Sequence, residues 1–265
     1  MTEYEEEGVI RIRELDLNQI HPNSDSLNDV EAKGRKYIVI GKPGFGKSNL
    51  IGSIMYAKSD VIPVAMVMSG SEDVDPFFRN FVPDTFIYNE YDPDKLKNLI
   101  TRQKLAMMFN IPNPWVMAVF DDVSDDLSIF NTPLIHGLFK RSRHWKMLSI
   151  WALQYAMDIK PVIRNNVDGI FILRDAILEN RQKLYKNFCS IVPDFTTFCL
   201  LMDELTTDHS ALFIDNTKTT NNWQDCVYYY KAPLMRDVKF KFGCSEYWQF
   251  HKVRYNEKEK NSVEF

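Results

Sequence analysis

Residues 41–48 read Gly41-Lys42-Pro43-Gly44-Phe45-Gly46-Lys47-Ser48. Before them lies a short β-branched run, Lys36-Tyr-Ile-Val-Ile40, and after them an apolar segment, Ser48-Asn-Leu-Ile-Gly-Ser-Ile-Met-Tyr-Ala57. The octet matches G-x-x-x-x-G-K-[ST], and its flanks predict the strand and the helix that this pattern requires. Glycines let the backbone fold into a nest of inward-pointing N–H groups, and the start of a helix adds positive potential suited to a polyphosphate. Lys47 is expected to reach the β- and γ-phosphates, and the Ser48 hydroxyl to ligate Mg²⁺. Only 10 of the 265 residues are glycine, so a chance match in a glycine-rich tract is the weaker reading.

The chain length fits one large α/β domain, or a core of roughly 200 residues with an appendage at each end. The expected division is an N-terminal extension over 1–34, a nucleotide-binding domain over 35–232 and a basic-aromatic tail over 233–265. No apolar run is as long as a bilayer-spanning helix, and the acidic start, Met1-Thr-Glu-Tyr-Glu-Glu-Glu7, is unlike a secretory signal. A soluble intracellular protein is expected. Cys189, Cys199, Cys226 and Cys244 lack C-x-x-C or zinc spacing and read as reduced structural thiols. The formal net charge of −4 rules out a uniformly basic nucleic-acid coat. Local basic clusters remain, at Lys140-Arg-Ser-Arg-His-Trp-Lys146 and over Lys231 to Lys260, where eight Lys and Arg face four acids. A protein that touches DNA through loops needs only such patches.

From Lys36 onward, short apolar strands alternate with helical segments, the pattern of an α/β fold with a mostly parallel central sheet and helices on both faces. Strands are expected at Lys36–Ile40, Pro63–Met68, Thr85–Tyr88, Trp115–Phe120, Met147–Leu153 and Gly169–Leu173. Helices are expected at about 47–57, 93–109, 131–142, 159–165, 178–189 and 194–205. Ala211–Asp215 and Cys226–Tyr230 flank a turn-rich stretch and suggest a hairpin. Val9 to Leu17 is an amphipathic stretch that could add an edge strand.

Trp115-Val-Met-Ala-Val-Phe-Asp121-Asp122 is an apolar strand ending in two carboxylates. Downstream of a phosphate loop this is the form of a Walker B strand. Asp121 then holds Mg²⁺ through water, and Asp122 stands where a base orients the attacking water. Asp125 and Asp126 read as a solvated turn or helix cap. Two strands' worth of sequence separates the motifs, so this strand is not expected beside the phosphate-loop strand; an inserted strand is the arrangement of the additional-strand ATPases. Met147–Leu153 ends in Gln154, whose amide can hydrogen-bond both a γ-phosphate and the attacking water. Ahead of that strand, Arg143, with Arg141 as second choice, could reach a neighbouring subunit's γ-phosphate and stabilise transition-state charge.

Gly-x-Pro-Gly-x-Gly-Lys-Ser, the Asp121-Asp122 ending, and Arg143-His144 leading into a strand that closes Leu153-Gln154 together resemble the FtsK–HerA superfamily of P-loop NTPases. Within it the chain resembles the DNA-packaging ATPases of nucleocytoplasmic large DNA viruses and virophages, the poxvirus-type branch. The resemblance covers about residues 35–175. It implies an ATP-driven ring that pushes double-stranded DNA into a preformed capsid, with ATP and Mg²⁺ as cofactors. Lys47, Asp121, Asp122 and Gln154 then carry the chemistry, with Arg143 acting between subunits. Gly41, Lys42, Pro43, Gly44, Phe45, Gly46, Lys47, Ser48 and Asn49 bind the nucleotide, and Ser48 and Asp121 the metal. ATP rather than GTP follows from the resemblance, since no N-K-x-D motif is present. The implied partners are double-stranded DNA, further copies of the chain and a capsid or portal protein, with no membrane. The implied location is the assembly site in the host cytoplasm, with the virion as a further one.

Two other readings stay open from sequence: a helicase or recombination ATPase of the same superfamily, and a small-molecule (nucleoside or nucleotide) kinase. No terminase-type nuclease domain is recognisable. Ser69-Gly-Ser-Glu-Asp73 reads as an ordinary polar loop. His21, His136, His144, His209 and His251 show no ligand spacing. In the tail, Phe240, Tyr247, Trp248 and Phe250 either pack on the core, or stack on nucleic acid or dock on a capsid protein. Lys160, Arg164 and Arg174 are further pore or interface candidates.

Overall fold

The computed structural model describes residues 12–27, 29–123, 127–155 and 159–256. Asp125, Asp126 and the first part of the Val9–Leu17 stretch lie outside the described residues. In chain order the elements of the first half are β1 (Arg13–Glu14), β2 (Lys36–Ile40), α1 (Lys47–Lys58), β3 (Val64–Ser69), β4 (Ile87–Tyr88), α2 (Pro93–Met108) and β5 (Val116–Asp121). There follow α3 (Pro133–Arg141), β6 (Met147–Leu153), α4 (Pro161–Arg164), β7 (Gly169–Ile172), α5 (Leu178–Phe188), α6 (Phe195–Leu205), β8 (Ser210–Asp215), β9 (Val227–Lys231) and α7 (Ser245–Arg254).

The strands form one nine-stranded sheet in the order β1-β9-β8-β7-β2-β6-β5-β3-β4. Pairing is parallel from β7 through β4, whereas β8 runs antiparallel to both β7 and β9. The short β1 lies parallel on β9, at the edge. Every residue of β2, β5 and β6 is buried, as expected of parallel strands covered on both faces.

Alternation along the strands divides the interior into two cores. Ile38, Ile40, Ala118, Phe120, Trp151 and Leu153 face one side, where Leu96, Leu99, Ile135, Leu138, Ile163, Leu184 and Phe198 from α2 to α6 cover them. Tyr37, Val39, Met117, Val119, Ile150 and Ala152 face the other, against Leu50, Ile51, Ile54 and Met55 of α1. The residues after β9 join this second core. Met235, Phe242 and Tyr247 are buried in it, Phe240 stacks on Phe81 at 4.6 Å, and the Tyr247 hydroxyl donates to the Ala65 carbonyl at 2.6 Å. Among the described residues all four cysteines are free thiols.

The strand separating β2 from β5 is β6, which follows the Asp121-Asp122 strand in sequence. The two strands that lie between the motifs in sequence, β3 and β4, sit outside β5 instead. Parallel connections explain the order: the chain leaves β2 through α1, builds outward from β3, and fills the gap last.

Trp151 is 1% exposed and stacks on Phe120 at 3.7 Å between ring centroids, near the middle of the sheet. Trp151→Ala is expected to remove about 3–5 kcal/mol of stability, read as a lower urea midpoint at unchanged slope.

Candidate nucleotide-binding site

Helices α2, α3 and α6 begin with side-chain caps from Asp92, Thr132 and Asp194. Helices α1, α4, α5 and α7 begin without one, and α1 is the one of these that starts from a glycine. Its cap position is Gly46, left-handed at φ 95°, and no side chain caps it. The first-turn amides of α1 are therefore left for another acceptor. A β-carbon built on Gly44, itself at φ 79°, would meet nothing within 4 Å, so the loop borders open space there. First-turn amides beside that open space suit a polyphosphate, which would take the place of a cap from the chain.

The loop is held from outside. Lys42 Nζ pairs with Asp175 at 3.0 Å, tying it to the segment after β7. Asn49, in the first turn of α1, donates from Nδ2 to the Pro233 carbonyl at 2.7 Å and accepts the Met235 amide at 2.8 Å. Neither Asp175 nor the 233–235 segment stood out in sequence, because each matters only through the chain's return to this edge of the sheet.

On the other flank Ser48 Oγ donates to Asp121 Oδ2 at 2.7 Å. Asp121 is 2% exposed, and burial pushes its carboxyl up to about 6; the Ser48 hydrogen bond and the Lys47 charge oppose that rise, while Asp122 and Glu72 add to it. Lys47 is also buried, and desolvation lowers its ammonium against the pull of Asp121 and Asp122. A hydroxyl and a carboxylate held together beside a buried ammonium are a suitable donor set for Mg²⁺ next to phosphates. Ser48 and Asp121 would hold the ion.

Asp122 adopts a left-handed backbone at φ 54°, and its Oδ1 accepts a hydrogen bond from Gln154 Nε2 at 2.7 Å. The two residues end neighbouring strands, β5 and β6, so the amide expected to sense nucleotide reaches the carboxylate expected to position water. Gly70, in the loop after β3, donates its amide to the Asp121 carbonyl at 3.1 Å. A β-carbon there would collide with the Asp122 carbonyl, so the glycine allows this turn to pack closely. Glu72 in the same loop is buried and accepts the amides of Phe77, Phe78 and Arg79 at 2.9–3.1 Å. The Ser69–Asp73 stretch thus shapes the Asp122 turn.

Arg143 is not brought to this cluster. It precedes β6, whereas Gln154 follows it, so seven strand residues place the two at opposite edges of the sheet. Arg143 opens on a cleft of about 460 Å³ that Arg35, Arg164, Asn187 and Asp168 also line, Asp168 pairing with Arg35 at 3.8 Å and Lys36 at 2.8 Å. Its Nε is buried without a hydrogen-bond partner, and Arg164 donates to Asn187. Arg141 is exposed in the last turn of α3. Among the described residues no cluster of His, Cys, Asp and Glu could hold a further metal, and no helix is long and apolar enough to cross a membrane.

No protein-family model matches the chain. It is 48% identical over 249 residues to the uncharacterized protein 088R of Invertebrate iridescent virus 3, spanning 93% of this chain and 95% of that one. It is 39% identical over 242 residues to the uncharacterized protein 015R of Frog virus 3, spanning 91% and 74%. Among solved structures, the genome-packaging NTPase B204 of Sulfolobus turreted icosahedral virus 2, in complex with ATPγS, superposes with a TM-score of 0.53 at 15% identity, covering 76% of this chain and 98% of that one. The cytoplasmic domain of the Thermomonospora curvata type VII secretion ATPase EccC gives a TM-score of 0.52 at 11% identity, over 78% and 26%. The chain belongs to the same family as these proteins of nucleocytoplasmic large DNA viruses, and its fold is that of the P-loop NTPases, shared with a viral genome-packaging ATPase.

Proposed function

We propose that the chain is an ATP-driven translocase that moves double-stranded DNA into a viral capsid, hydrolysing ATP at the subunit interfaces of a ring. The observation that carries the reading is the paired contact at one sheet edge: Ser48 with Asp121, and Gln154 with Asp122, beside an uncapped helix start. The fold of a packaging NTPase and relatives in large DNA viruses support it.

The chain's own residues divide the work. First-turn amides of α1 and the Lys47 ammonium bind the phosphates and neutralise charge that grows in the transition state. Ser48 and Asp121 would hold Mg²⁺, which supplies Lewis-acid polarisation of the phosphoryl oxygens when bound. Asp122 orients the attacking water and accepts its proton at Oδ1 or Oδ2. In the ligand-free geometry Gln154 holds Asp122 Oδ1. Exchange of that partner for a γ-phosphate oxygen or the water would report the nucleotide to the β6 side of the sheet.

Arg143 is the residue we assign to a neighbouring copy's nucleotide. Its distance from its own phosphate loop suits a trans role; in the cleft Arg35 is already paired with Asp168 at 3.8 Å and Arg164 with Asn187, which leaves Arg143 as the arginine whose Nε has no partner. Double-stranded DNA, the ring and a capsid or portal protein are the partners this reading requires.

ATPase rates with and without long duplex DNA, beside mass measurement of the assembly, test the reading: DNA stimulation in an oligomer is expected, and a DNA-indifferent monomer would end it. Lys47→Ala and Asp121→Asn are expected to abolish hydrolysis. Gln154→Leu is expected to lower kcat by about 10²-fold with nucleotide affinity retained, as for loss of a group that acts mainly in the transition state. Arg143→Ala is expected to be inactive alone and partly active when mixed with Lys47→Ala subunits. Mixed rings that stay dead would exclude the between-subunit arginine.

A further inference from the structure

We propose that His209 and Leu234 form the subsite for the nucleobase of the bound nucleotide. The inference rests on the phosphate-loop reading and extends it to a part of the ligand that the loop itself does not contact.

The metal and γ-phosphate end of the site is marked by Asp121 and Gln154, which lie on the β6–β5 side of β2. A triphosphate threaded through the loop must present its nucleoside end elsewhere. The other side of β2 is the one built by β7, β8 and β9.

That side carries an unusual local structure. Asp208 and His209, immediately before β8, are both left-handed, at φ 49° and 60°. Two consecutive non-glycine residues in this region are strained, and such strain gathers where a side chain must be aimed. The Asp208 carboxylate pairs with Lys231 at 3.5 Å across the mouth of the β8–β9 hairpin. The turn puts His209 on the phosphate loop: its Nδ1 is 3.8 Å from where a β-carbon on Gly46 would be. His209 is exposed.

Register brings the second wall to the same place. Ser210 pairs with Lys231, so the residues leaving β9 start opposite His209. Asn49 then pins Pro233 and Met235, one on each side of Leu234, to the first turn of α1. Leu234 is 71% exposed between those two hydrogen bonds. A large apolar side chain on a backbone fixed at both neighbours to the first turn of α1 is thus left mostly in solvent. An imidazole and an isobutyl group offer the flat and apolar contacts that a heterocyclic base takes up.

The test is calorimetric titration of the wild type, His209→Asn and Leu234→Asp with ATP and with inorganic tripolyphosphate, both with Mg²⁺. Asparagine tolerates the left-handed backbone while removing the ring. Each variant is expected to lose about tenfold in ATP affinity, the scale of one base contact, and to keep the wild-type affinity for tripolyphosphate. Unchanged ATP affinity in both variants overturns the subsite. So does a parallel loss for the two ligands, which would report damage to the loop rather than to a base contact. A wild type that binds tripolyphosphate as tightly as ATP also overturns it, with the phosphate loop left standing. A wild type that binds neither ligand removes the phosphate-loop reading and this one together.

Discussion

The Ser48–Asp121 hydrogen bond is the contact on which the site depends. Its partners come from strands that are not neighbours, since β6 lies between β2 and β5, and strands are spaced by about 4.8 Å. The helix after β2 must therefore lean across β6 to place its hydroxyl at the end of β5. Burial of all three strands, with Ile38, Trp151 and Phe120 in one row, keeps that span rigid. Because β6 fills the gap, its terminal residue is carried to the same edge, and Gln154 reaches Asp122 without a long loop. Topology, rather than any special sequence at these residues, assembles the four groups.

Much of this was legible beforehand. β2 and β6 begin and end where the apolar runs do, because strands buried on both faces read as continuous hydrophobic stretches. Gln154 and Asp122 could each be singled out by their place at a strand end. That they touch could not, since it depends on which strand fills the gap beside β2. Helix α7 was hidden for another reason: Tyr247 is the buried residue among its ten, so no helical period of apolar residues marks it. Asn49 was visible as part of the phosphate loop, yet its second task, holding 233–235, needs the return of a segment nearly two hundred residues away.

The placement of Arg143 shows what a parallel sheet does to motifs that are close in sequence. Arg143 and Gln154 are separated by one strand, and a strand has two ends. Residues just before and just after it cannot serve the same site in one subunit. Any joint use must pass through a second copy, since the cleft that Arg143 lines lies at the opposite end of the strand.

The ties at Lys42–Asp175 and Asn49–Pro233/Met235 have a kinetic consequence. They tie Lys42 of the phosphate loop and the first turn of α1 to the segments after β7 and β9, which limits how far the loop can move. Capture of a nucleotide then resembles docking onto a rigid receptor, with little chain entropy lost on arrival or regained on departure. In the proposed ring, the tempo of a cycle would then fall to the steps that move whole subunits, leaving the loop a fixed jaw.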